Sequence, residues 1–93
     1  MRELERLQIL TEIVREFKTA ILMDKEPDKI GRMVLEVIQA AGDTLLGDQV
    51  LNAYMRLGDH ELAVSYLDNA TKYLHEKIDD VQQKIDNVQQ NLN

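Results

Sequence analysis

Ile78-Asp79-Asp80-Val81-Gln82-Gln83-Lys84 is followed at once by Ile85-Asp86-Asn87-Val88-Gln89-Gln90-Asn91 and then Leu92. The two stretches nearly repeat, and Ile78, Val81, Ile85, Val88 and Leu92 recur at alternating steps of three and four. On an α-helix this spacing makes one apolar stripe. A strict seven-residue period keeps that stripe against a neighbour only when the helices supercoil. The same frame runs back through Leu74, Thr71, Leu67 and Val64, with Thr71 its one polar position. The stretch therefore predicts a long C-terminal helix whose seam must be buried, in its own chain or in another. Leu74, Ile78, Val81, Ile85, Val88 and Leu92 are the candidate oligomerisation residues. Two heptads alone are too short to hold together in water, so the rest of the chain has to assist.

Upstream, the pattern reads as three more helices. Over about 2–23, Leu7, Leu10, Val14, Phe17 and Ile21 form an amphipathic stripe. Pro27 suits the first turn of a second helix, about 28–41, with Ile30, Met33, Val34, Val37, Ile38 and Ala41 as its apolar set. Gly42 then Asp43 reads as a C-terminal stop followed by an N-cap. A third helix over about 44–57 aligns Leu46, Val50, Ala53, Tyr54 and Leu57, and its internal Gly47 suggests a close helix approach. Gly58-Asp59 repeats the stop-and-cap pair, predicting a tight hairpin into a fourth helix over about 60–92. That last helix, roughly 50 Å long, overhangs the roughly 20 Å third helix, and only the first, at roughly 33 Å, could cover the remainder from within. The expected fold is all-α: one domain, a four-helix arrangement with a helix-turn-helix hairpin and a long C-terminal coiled-coil helix.

Composition narrows the function classes. The chain has 93 residues, no cysteine, no tryptophan, one proline and a net charge of −6. Disulfides and thiolate metal sites are excluded. Residues 41 to 93 carry four basic against nine acidic groups, a balance that repels nucleic-acid phosphates and anionic lipid. No stretch approaches the roughly 20 apolar residues of a membrane span, and Arg2, Glu3, Glu5 and Arg6 interrupt any secretory leader. The expectation is a cytoplasmic protein without nucleic-acid or membrane partners.

Asn52 to Ala63, continuing to Tyr66, Leu67 and Ala70, resembles one tetratricopeptide repeat over about residues 44–74, with Tyr54, Gly58, Ala63 and Ala70 at the repeat's characteristic places. Leu51 stands where the repeat has a small residue, and His75 stands where it closes with proline. No second copy precedes it, whereas a solenoid needs about three. The resemblance implies a peptide-binding face on the third helix, which by position would comprise Asp48, Asn52, Met55 and Arg56. The microtubule-interacting-and-transport domain has a similar helix texture.

Signals for chemistry are sparse. His75-Glu76 lacks the second histidine of a zincin helix, and His60 follows a turn as an edge residue would. Glu76 and Asp79 match half of the magnesium motif of all-α nucleotide pyrophosphohydrolases, but the partner helix offers only Glu12 and Glu16 at a spacing of four. Ser65 is the lone serine, and Asn69-Ala70-Thr71 is a sequon on a predicted helix. Tyr66 and Tyr73 share a face and are expected to line the core against the first or second helix. No cofactor or metal is implied. The leading expectation is a non-catalytic interaction protein, an adaptor, small regulator or assembly factor. It would act as a homo-oligomer and engage a protein or peptide partner. The alternatives are a small metal-dependent nucleotide hydrolase using Glu12, Glu16, Glu76 and Asp79, and an acidic inhibitor or antitoxin of a basic partner.

Overall fold

The computed structural model describes residues 2–92, with side-chain surroundings through Gln90. The helices are α1 (Arg2–Leu22), α2 (Pro27–Ala41), α3 (Thr44–Tyr54) and α4 (His60–Leu92), and the described residues include no strand. Each helix packs on the next and α1 also packs on α4, which closes an antiparallel four-helix bundle. The molecule measures 53 × 23 × 20 Å, its long axis set by the 33 residues of α4.

The α1 stripe is the centre of the core. Leu7, Leu10, Val14, Phe17 and Ile21 are all buried, together with Val34, Ile38, Leu46, Val50, Ala53, Ala63, Leu67, Ala70 and Leu74. Ala63 and Ala70 lie one heptad apart on α4, and both are fully buried in this core.

The connections follow local chemistry. α1 ends in a Schellman motif: the Lys25 N–H donates to the Ala20 carbonyl at 2.9 Å and the Asp24 N–H to the Ile21 carbonyl at 3.3 Å. Asp24, with φ of 52°, takes the left-handed position usually given to glycine, and Glu26 is left-handed too, with φ of 47°. Pro27 opens α2 and Gly42, with φ of 78°, ends it. Asp43 caps α3 by accepting the Leu46 N–H at 3.2 Å, and Asp59 caps α4 by accepting the Leu62 N–H at 3.2 Å.

Four expectations need correction. α3 ends at Tyr54 rather than near Leu57, because the chain tightens into a turn in which the Arg56 N–H donates to the Ala53 carbonyl. Gly58 is not left-handed, and a side chain there would meet open space, so Asp59 alone punctuates the hairpin. The close approach is not at Gly47, where a Cβ would lie 4.0 Å from Ile38 Cγ2. It is at Gly31, where a Cβ would fall 2.7 Å from the Phe17 ring and 2.9 Å from Tyr54 Cδ1. Finally, Met33 and Val37 are exposed at 57% and 47%, because α1 and α3 cover only part of the broad apolar face of α2.

Candidate interaction surface

At one end of the bundle, α4 continues past its neighbours. The level at which α3 stops covering it is set by Asp43, which lies only 11% exposed between α3 and α4. The Tyr73 hydroxyl donates to both Asp43 oxygens, at 3.0 and 2.9 Å, and Lys77 Nζ lies 3.5 Å away. Lys77 also sits 5.0 Å above the Tyr73 ring. Burial pushes the Asp43 carboxyl upward, but the Leu46 N–H, the Tyr73 hydroxyl and the Lys77 ammonium together outweigh it and hold the group below the usual carboxylate range. This knot ties the start of α3 to α4 near Tyr73 and Lys77. Beyond that level α4 has only α1 beside it.

The heptad stripe divides there. Leu74 is fully buried by the chain's own helices, and Ile78 and Val81 are half-buried against the same core. They belong to the intramolecular packing of this bundle. Ile85 is half-buried and Val88 is 59% exposed. The Leu92 side chain lies outside the described residues. Val81, Lys84, Ile85, Val88 and Gln89 line a concave surface of about 510 Å³, with Glu3 from the first turn of α1 at its edge. α1 therefore covers the stripe most fully as far as about Val81, while Ile85 stays half-buried and Val88 faces solvent beside Glu3.

The α3 residues implied by the repeat resemblance are differently engaged. Arg56 Nη1 donates to the Asn52 carbonyl at 3.1 Å and to Asn52 Oδ1 at 2.9 Å, while its guanidinium lies 5.1 Å above the Tyr66 ring. Asn52 in turn donates to the Asp48 carbonyl at 2.9 Å. Arg56 and Asn52 thus brace the hairpin, whereas Asp48 and Met55, the latter 71% exposed, remain open. Tyr66 and Tyr73 are partly buried against the core, and their polar partners come from α3's flanking turns, Arg56 over the Tyr66 ring and Asp43 at the Tyr73 hydroxyl.

Periodicity alone did not reveal a second apolar surface. Ile13, Ile30, Met33, Val34 and Val37 line a shallow groove of about 110 Å³ between α1 and α2, beside Glu16. Ile9, 60% exposed, lies further along α1.

The carboxylates considered for catalysis do not assemble. Among the described residues no three His, Asp or Glu side chains lie close enough to hold a metal ion. Glu12 pairs with Arg15 on its own helix at 3.2 Å, and Glu16, Glu76 and Asp79 are exposed, as are His60 and His75. Among the described residues no helix is long and apolar enough to cross a membrane. No family model, curated protein or solved structure matches the chain.

Proposed function

We propose that this chain is a non-catalytic interaction protein that self-associates through the exposed part of its C-terminal seam, leaving the rest of its surface for a protein partner. The observation that carries this reading is the state of Ile85 and Val88. They continue a stripe that buries Leu74 completely, yet they remain half-buried and 59% exposed. The backbone there is already helical, so covering these residues requires side-chain ordering but no folding of a new segment.

The energetics set the regime. Covering two partly exposed aliphatic side chains on each of two copies gains about 1 kcal/mol apiece, roughly 4 kcal/mol in all, from the usual value per buried side chain. That only matches the low end of the cost of association. A gain that only equals the cost leaves a dissociation constant near the molar range, so these two side chains do not hold copies together by themselves. Self-association draws on the surface around them or on a shared partner that raises the local concentration. The net charge of −6 opposes assembly at low salt, so added salt strengthens it.

Sedimentation over a concentration series tests the reading. The unchanged chain should shift toward the oligomer as concentration rises, and Val88→Asp or Ile85→Asp should stay monomeric at every concentration. A mass that does not change with concentration or with either substitution overturns the role of the seam.

A further inference from the structure

We infer that two copies pair tail to tail and antiparallel, about a two-fold axis near Ile85 and Val88, each tail lying over the open end of the other copy's bundle; this rests on the self-association proposed above. The argument is steric. Leu67, Leu74, Ile78, Val81, Ile85 and Val88 lie on one stripe of one uninterrupted helix. Along the lower half, that stripe faces the inside of the bundle, where Leu67 and Leu74 are fully buried. A helix that covers Ile85 and Val88 must therefore stand directly above the bundle's interior.

A second α4 running in the same direction and in register would have to continue down from that place. It would enter the space already filled by the buried side chains of α1 and α3. Splaying the two helices apart to avoid this leaves a single crossing point and not a seam. Run antiparallel, the second α4 leads its own bundle away from the first. Its tail, followed to Gln90, then descends only to about the level of Gln83, beside Glu3 of α1 and short of the Asp43 knot at Lys77.

The concave surface bounded by Glu3, Val81, Lys84 and Val88 is the volume such a tail enters. Two-fold symmetry makes the contact isologous: the same patch serves both copies, the pair closes, and no filament forms. The oligomer is then a dimer. The α1–α2 groove with Met33 and Val37 stays free on both copies, on surfaces outside the shared tails.

Distance measurement tests the orientation. The chain has no native cysteine, so Asn69→Cys, an exposed position on α4, takes a single nitroxide label. With the axis between Ile85 and Val88, the two labels in an antiparallel dimer stand roughly 50–55 Å apart, from 1.5 Å of rise per residue on each side. In a parallel pair with axes 8–10 Å apart they would fall under roughly 30 Å. Pulsed electron paramagnetic resonance near 50 Å, with a dimer mass by sedimentation on the same labelled sample, is the expected result. A short distance with a dimer mass overturns the antiparallel pairing and leaves self-association standing. A monomer mass at all concentrations, with no dipolar modulation, overturns self-association itself.

Discussion

Two glycines on neighbouring helices should respond oppositely to the same substitution. In an open helical position Gly→Ala stabilises by about 1 kcal/mol, since alanine loses less backbone entropy on folding. At Gly47 the new methyl would meet only Ile38 Cγ2, at 4.0 Å, an ordinary van der Waals contact. Gly47→Ala is therefore expected to gain close to that full amount. At Gly31 the same methyl would lie 2.7 Å from Phe17 Cε1 and Cζ and 2.9 Å from Tyr54 Cδ1. The Phe17 ring is completely buried, so it can give way only by repacking its neighbours. Overpacking of this kind costs about 1–3 kcal/mol, and contacts this short from two rings belong at the upper end. Net of the propensity gain, Gly31→Ala should destabilise by about 1–2 kcal/mol. For a domain of this size each kcal/mol moves the midpoint by about 4–8 °C. Thermal and urea unfolding followed by far-ultraviolet circular dichroism should place the two variants on opposite sides of the parent. Equal stability of the two, or a more stable Gly31→Ala, would refute the assignment of Gly31 as the contact glycine.

Other substitutions probe separate links. Tyr73→Phe removes a hydrogen bond to a charged, largely buried acceptor, a loss of about 1.5–3 kcal/mol at neutral pH. Because the folded protein holds the Asp43 carboxyl below its ordinary range, the stability that Asp43 contributes is complete above that range and is lost as pH falls through the depressed value. The gap between Tyr73→Phe and the parent should therefore shrink in acid; urea midpoints with the same gap at pH 2 and pH 7 would contradict the knot. Asp24→Gly relieves a left-handed residue with φ of 52° and should stabilise by about 0.5–1 kcal/mol, read from the same unfolding curves. Val88→Asp, at an exposed position, should leave the melting of the dilute monomer within about 0.5 kcal/mol of the parent while abolishing association; a large drop in monomer stability would mean the side chain belongs to the core.

The fold was legible wherever one face of a helix meets all its neighbours. The five α1 stripe residues are all buried, and Gly42 and Asp43 act as their identities suggest. Periodicity reports which side is apolar, not how wide a strip the neighbours will cover. That is why Met33 and Val37 read as core on α2 yet lie at the surface. Gly31 gave no local signal because its necessity comes from Phe17 and Tyr54 on two other helices. The division of the C-terminal stripe was open for a related reason: it depends on how far α1 reaches along α4, which is a packing outcome. Tyr73 and Asp43 could have been paired only by knowing that the α2–α3 turn sits beside α4.

The proposed association rests on how the polar and apolar side chains are distributed over the bundle. A few charged groups hold neighbouring elements together. Lys18 reaches Asp68 across α1 and α4 at 2.7 Å, Arg6 donates to the Ala41 carbonyl at the end of α2, and Arg56 grips Asn52 over Tyr66. The exposed large side chains include Ile9, Met33, Val37, Met55 and Val88. Exposed apolar residues scattered singly are ordinary; those that extend a buried stripe or line a groove are not. Val88 extends the α4 stripe, and Met33 and Val37 line the α1–α2 groove. An antiparallel pairing of tails would leave that groove open on both copies, so a dimer would present two identical apolar surfaces. A partner with two matching segments would then bind both, and its avidity would rise with the fraction of this chain that is paired.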